Sequence, residues 1–466
     1  MAMDASYDLT SEAYHADLAI DSLQLHHFLP KDSLYMLTLH AGARGQGTDF
    51  TSPRTHADVT VSLDGIQYGR WHLSGVDLKA SLKSALATAQ LTSNNALLKM
   101  TTQASMRLGR RYMDGQLQMD VADVGLYQLG ILSAPLTRPL AFNLEAEVRR
   151  DTVRMEMKAG DMNMWLRAQG TVNHLIEQSN QFVALLMKQI DDRKLDHAAL
   201  RRALPSAGMF VKAGKDNPVN ALLGQHHMGF NELKLGFGFT PDWGINGRAS
   251  IDGFHTDSLQ LDTIFFAVHQ DTTRIRLQSG VINTPQNPQI AFRSLLTGEV
   301  RSEDAELTLD FEDEKGEKGI LFGINARPLT EGNGKGNGVL LNLTPENPII
   351  AYRKFSFADQ ANWIYLHKNM RVYANVDMDS DDGVCFRMQS DRKDTVSLQN
   401  IGVELRRFRL SELSKVMPYL PQLTGLFSAE AHYIQTENSL QVSAEADIKK
   451  LTYEKQPVGD IGLGVT

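Results

Sequence analysis

The side chains able to do chemistry in this chain are an acidic run, two adjacent histidine pairs and a single cysteine. Asp377, Asp379, Asp381 and Asp382 precede Gly383 at the spacing with which a calcium loop opens. The template then fails. Its glycine position holds Asp382, and its twelfth position, which needs a bidentate glutamate, holds Met388. The run reads as an acidic hairpin turn. His26-His27 and His226-His227 are sequence neighbours, so on a strand they would point to opposite faces and chelate nothing together. One cysteine, Cys385, excludes both a Cys/His zinc quartet and an intramolecular disulfide. Between Val384 and Phe386 it reads as packing. The run Gly332–Gly338 has no Lys-Ser/Thr after it and reads as a flexible loop, not a phosphate cradle. There is no nucleophile elbow and no His-Glu-x-x-His. Carboxylate pairs for glycoside hydrolysis have 55 acidic residues to draw on, most of them expected on solvated strand faces. No catalytic site stands out, and the chain reads as a non-enzyme without cofactor or metal.

The bulk numbers narrow the class further. A net charge of -8 and a pI near 6.0 argue against a nucleic-acid binder, which needs a basic surface. With 466 residues, the chain is too long for one compact core. Hydrophobic content of 42% and a mean hydropathy of -0.27 suit a thin, sheet-based object. No stretch reaches the roughly 18 uncharged apolar residues of a bilayer span. The opening Met-Ala-Met-Asp-Ala-Ser has neither the basic nor the apolar part of a signal peptide. The last residues, Gly462 to Thr466, stop inside an alternating run. Both ends look cut, so the expectation is an internal fragment.

The elements that must position any site are strands. Apolar and polar residues alternate through Val59–Leu63, Leu117–Val121, Phe142–Val148, Val153–Met157, Leu233–Phe239, Ala305–Phe311, Val372–Met378 and Leu440–Ile448. Each such strand has one greasy and one wet face. Asp64-Gly65, Asp114-Gly115, Glu437-Asn438 and Asp313–Gly316 read as hairpin turns between them. Only His174 to about Leu204 departs, with Leu175, Phe182, Leu185, Leu186, Ile190, Ala199 and Leu200 at helical spacing. Asn173 is placed to cap it, Pro205 and Gly208 to close it, and a short helical continuation is expected near Val219–Leu223.

One phrase recurs three times: Ile20 to Phe28, Val121 to Leu129 and Leu405 to Leu413. Each has apolar residues at its first, fourth, sixth and ninth places, with leucine sixth. Proline follows, at Pro30, at Pro135, and at Pro418 and Pro421, and then alternation resumes. This is a degenerate repeat of one module, a strand, a short apolar turn or helix, and returning strands.

The stretch Val403–Ala431, with its Leu405–Leu413 phrase, its prolines and Leu423-Thr-Gly425, resembles the repeat of the AsmA/TamB superfamily. Residues 20–47 and 121–148 resemble it more loosely, and Asn347–Trp363 is similar to the central region of Bacteroidota-type TamB-like proteins. The resemblance implies a mostly β chain, an elongated, curled amphipathic sheet forming a repeating groove (a β-taco). Groove repeats are then expected at 1–172, 226–330 and 339–466, with a helical insertion at 173–225 and a Gly-rich loop at 331–338. It also implies a periplasmic protein, anchored to the inner membrane when complete, that conducts phospholipid to the outer membrane. Links to outer-membrane protein assembly and to a β-barrel assembly partner of the Omp85 type are implied as well.

On that reading the lipid track is lined by Leu307, Leu309, Phe311, Val372, Val376, Met378, Phe427, Ala429, Ala431, Tyr433, Leu440, Val442, Ala444, Ala446 and Ile448. A closed sandwich would bury the same side chains against a second sheet. Ala444→Glu and Val376→Asp are expected to block an open groove at modest cost and to unfold a sandwich. One alternative function is a chaperone-like scaffold offering sheet edges to barrel strands. Another is a carbohydrate-binding or carbohydrate-active β-sandwich or β-helix. That one needs aromatics on a polar face, whereas aromatics are 8% and many fall on the apolar parity.

Overall fold

The computed structural model describes residues 1–27, 34–109, 113–330, 336–391, 394, 396–417 and 419–465. Phe28 and Pro30 of the first phrase, Pro418 of the third and residues 331–335 of the Gly-rich run lie outside them. The chain is mostly β and divides into two compact units, residues 1–179 with 205–239, and residues 180–204 with 240–466. The Gly-rich run does not mark the division, and Gly336–Gly338 already belong to a strand of the second unit.

The strands of the first unit are β1 Ala2–Asp8, β2 Ala13–Gln24, β3 Leu34–Gln46, β4 His56–Tyr68, β5 Trp71–Leu73, β6 Val76–Lys83, β7 Leu86–Asn94, β8 Leu98–Leu108, β9 Met113–Val124, β10 Phe142–Arg149, β11 Thr152–Ala159, β12 Met162–Gln169, β13 Ser206–Ala213 and β14 Glu232–Thr240. Each pairs antiparallel with its sequence neighbours, β5 excepted, because β4 pairs with β6 as well. The second unit continues with β15 Gly244–His255, β16 Gln260–Gln270, β17 Ile275–Asn283, β18 Phe292–Val300, β19 Ala305–Asp313, β20 Lys318–Thr330, β21 Gly336–Ile350, β22 Arg353–His367, β23 Val372–Ser380, β24 Cys385–Ser390, β25 Gln399–Arg409, β26 Leu423–Gln435, β27 Leu440–Tyr453 and β28 Gln456–Val465. It is again an antiparallel meander. The helices are α1 Val172–Asp191, α2 His197–Arg202, α3 Pro218–Gly224 and α4 Leu413–Val416.

Three local expectations are corrected. Asp64-Gly65 is not a turn but lies within β4, where the β3 pairing slips between Thr38 and Leu39 and leaves an extra residue, a bulge. Asp114-Gly115 lies within β9. Both pairs carry turn chemistry, and strand pairing overrides it. The 173–225 stretch is not wholly helical, since β13 runs through it between α2 and α3 and pairs with β12 and β14. Asn173 is inside the first turn of α1. The cap is Thr171, whose Oγ1 accepts from the His174 N–H at 3.2 Å. Glu437-Asn438 and Asp313–Gly316 are the hairpins expected, and Gly316 takes φ +77°.

The three phrases do take the module's shape. Each ends a strand and turns apolar residues over its end: β2 into the 3₁₀ turn Leu25–His27, β9 into turns at 126–130, β25 into the 3₁₀ turn Leu410–Glu412 and α4. The third copy proves that the second unit's sheet is curled. Tyr419 Oη receives a hydrogen bond from Asn283 Nδ2 at 2.9 Å, at the end of β17. A flat sheet would put β25 about 38 Å from β17. The chain from Arg409 to Tyr419, mostly helical turns, reaches only about 20 Å. The sheet must bend to close that difference.

Val416 of α4 packs with Leu261, Phe292 and Phe311, and Leu410 with Ala351, Phe355, Met378, Val384 and Phe408. The phrase thus plugs one end of the curl. Gly319 lies beneath it, and a Cβ there would stand 2.8 Å from Val416 and 2.9 Å from Phe311. Gly319→Val is expected to destabilise the protein by about 2 kcal/mol through overpacking. Urea unfolding of Gly319→Val and Gly319→Ala measures this, and equal stability of Gly319→Val and wild type would refute the close packing.

Candidate functional site

In the first unit the pairing register aligns the apolar parity of every long strand. One row runs Ala5, Ala16, Ala43, Val59, Ala80, Ala89, Ala104, Leu117, Ala146, Met155, Leu166, Met209, Phe237, each directly opposite the next. A parallel row, from Met3 through Leu78, Leu91, Met119 and Met157 to Leu235, is interrupted only by Thr102. A third passes through Leu82, Ala87, Val148, Val153 and Ala168, and a fourth through Val76, Met100 and Val121. At strand spacing the band is about 58 Å long and, four rows deep, about 20 Å wide.

Leu78, Leu91, Leu117, Leu144, Met155 and Leu166 in this band are half-buried, while Lys79, Gln90, Gln118, Glu156 and Arg167 on the opposite parity are exposed. The main contacts of each strand are with its own sheet neighbours. The shading therefore arises from neighbouring apolar side chains within the rows, not from a second layer. An apolar area this large on a solvated face demands a cover. The rim at the β9 end is lined by the segment after the second phrase. Leu129 O accepts from Arg70 Nη2 at 3.1 Å, Pro135 O accepts from Gln225 Nε2 at 3.3 Å, and Arg138 pairs with Asp216.

The fifteen expected track residues all lie in the second unit. Leu307, Leu309 and Phe311 are on β19, Val372, Val376 and Met378 on β23, Phe427 to Tyr433 on β26, and Leu440 to Ile448 on β27. The row Ala305–Ala326–Leu341–Ile364–Ala374 carries one face from β19 to β23. Val376–Met388–Val403–Ala431–Ala444–Val465 carries the same face to β28. All fifteen therefore share a face.

They do not share an environment. Phe311, Val376 and Met378 are buried, Val376 completely at 0% exposure. Phe427 and Ile448 pack against the core under the third phrase. Leu307, Leu440 and Val442 are open, Leu440 to 61%. Val376→Asp is consequently a folding mutation and not the groove-blocking change expected from sequence, whereas Ala444 is half-buried and suits that test. The first unit's band went unnamed as a track because its central row is largely alanine. Ala80 and Ala89, alternating with Lys79, Ser81, Thr88 and Gln90, carry the signal weakly.

Polar chemistry clusters at the plugged end. The Arg353 guanidinium, 11% exposed, donates to Asp382 at 2.7 Å and lies 3.7 Å from Glu412, which also meets Lys415 at 2.9 Å. Arg353 and the Ser380 hydroxyl hold the Asp382 carboxyl below its ordinary value. Burial, helped by Asp313, pushes the Tyr352 hydroxyl up to about 12. Asp377 pairs with Arg387 at 3.0 Å and Asp379 with the same guanidinium at 3.8 Å, so three carboxylates of the acidic run are held by arginine. Burial raises the Cys385 thiol, in keeping with a packing role. The histidine pairs sit in the 3₁₀ turn after β2 and the turn after α3, not on strands. Among the described residues no helix is long and apolar enough to cross a membrane.

Because the Asp382 value is depressed, the stability it contributes is present above the unfolded carboxylate range near 4 and is lost as pH falls below it. Asp382→Asn should therefore be less stable than wild type at pH 7, with the gap closing toward about pH 3. Chemical denaturation at the two pH values checks this, and a gap independent of pH would contradict it.

The chain matches no family model, no curated protein and no solved structure.

Proposed function

We propose that this chain is a segment of a TamB-like intermembrane lipid conduit, its apolar β-face sheltering phospholipid acyl chains on their way to the outer membrane. The observation that carries the reading is the uncovered band of apolar rows, the central one paired residue to residue from Ala5 to Phe237. A band about 20 Å wide matches the hydrocarbon depth of one leaflet, about 15 Å, so chains lying along the strands fit it with headgroups at the rim. Each methylene sheltered contributes about 0.8 kcal/mol. Two chains are then held without any specific polar contact, and the evenness of the alanine-rich row leaves no deep trap along its length. Transport needs no catalytic group. On this reading the protein works in the periplasm, anchored to the inner membrane when complete, with a barrel assembly protein of the outer membrane as partner.

A charge placed mid-band tests the proposal. Ala104→Glu in the first unit and Ala444→Glu in the second keep the strand exposed enough to fold, yet put a carboxylate where acyl chains would lie. Binding of a fluorescent phospholipid presented in vesicles is expected to fall about tenfold in each, with circular dichroism unchanged. Wild-type binding by both folded variants would sink the reading.

A further inference from the structure

The opposite, polar face of the first unit has a built groove of its own. A depression of about 1300 Å³ crosses the sheet from β4 to β12. From each strand it takes a triplet of residues, an apolar centre such as Ala80 or Ala104 and the polar residue on either side. The next apolar residues along, Leu78 and Leu91 among them, do not line it. Space that touches both polar neighbours of a strand residue, but not its apolar i±2 partners, is on the polar side. The groove is therefore walled by two polar rows and is distinct from the apolar band.

The two walls differ. One is bonded within the protein: Ser81 to Thr88 at 2.9 Å, and Gln116 Nε2 to Glu147 at 3.4 Å. In the other, Gln90, Gln103, Gln118, Glu145, Glu156 and Trp165 stand directly opposite one another on successive strands. Among the described residues the three glutamine amides of this wall have no partner in the protein. Glu145 stands directly opposite Glu156, whose carboxylate also meets Lys158 Nζ at 3.2 Å. At the end of the row Trp165, 49% exposed, stacks on Phe210 with ring centroids 5.7 Å apart.

We propose that this groove binds a neutral, β-linked polysaccharide strand. Amides donate and accept, carboxylates accept, and sugar hydroxyls do both. The row repeats every strand, about 4.8 Å, close to the rise of an extended hexose chain. The exposed indole offers the flat apolar platform that a pyranose face stacks on. Four carboxylates against three cations line the groove, a net charge of -1 that gives an anionic polymer no attraction. The sequence argued against a carbohydrate surface because aromatics are few and many fall on the apolar parity; Trp165 is placed on the polar one by register.

Isothermal titration with cellohexaose, laminarihexaose and chitohexaose tests the site on the intact protein. Saturable binding to at least one is expected, with a change in indole fluorescence. Trp165→Ala should weaken it about tenfold, Trp165→Phe less, and Gln103→Ala should weaken it without altering phospholipid binding. All three are surface changes that leave circular dichroism unaltered. No saturable binding to any of the three sugars, or binding indifferent to Trp165→Ala, overturns the proposal. Neither outcome touches the apolar band.

Discussion

Antiparallel register is the constraint on which the rest of this molecule depends. Side chains alternate faces with a period of two, so a slip of one residue would move a strand's apolar set to the opposite side. In the first unit the register is kept from Ala5 to Phe237, over every long strand, and a greasy band and a polar wall result from the same pairing. Where an extra residue enters, as at Asp64, the bulge shifts the parity within β4, so that Ile66 comes to stand opposite Leu37. The second unit absorbs more such shifts, notably in β21 and β22, and there the face is less even.

The two units solve the burial of an apolar face differently. The second unit curls until the phrase after β25 reaches the ends of β16 to β20, and that end becomes solid core. The Arg353–Asp382–Glu412 cluster ties the plug to the hairpins beneath it. In the first unit the segment after the second phrase lies at a rim, held by Arg70, Gln225 and Asp216, and the middle of the band is left open.

Much of this was legible in the sequence. Alternation placed most strands, and the three phrases marked the strand ends where apolar turns occur. What could not be read was whatever depends on pairing partners. Asp64-Gly65 and Asp114-Gly115 carry turn residues, yet neighbouring strands hold Gly65, Asp114 and Gly115 in extended pairs and leave Asp64 as a bulge. β13, with Ala207, Gly208 and Met209, lacks the polar–apolar alternation that would make it stand out between helices. Val376 and Leu440 look equivalent as members of an alternating run, and only the long-range fold makes one core and the other surface. The alanine row is invisible strand by strand and becomes a feature only once the strands are aligned.

The most direct test of the central claim is native mass spectrometry, with organic extraction, of the protein purified from a bacterial host without detergent. The account predicts several phospholipid molecules per chain, retained through purification. A folded, lipid-free chain would mean that protein, not acyl chains, covers the apolar band, and would contradict it.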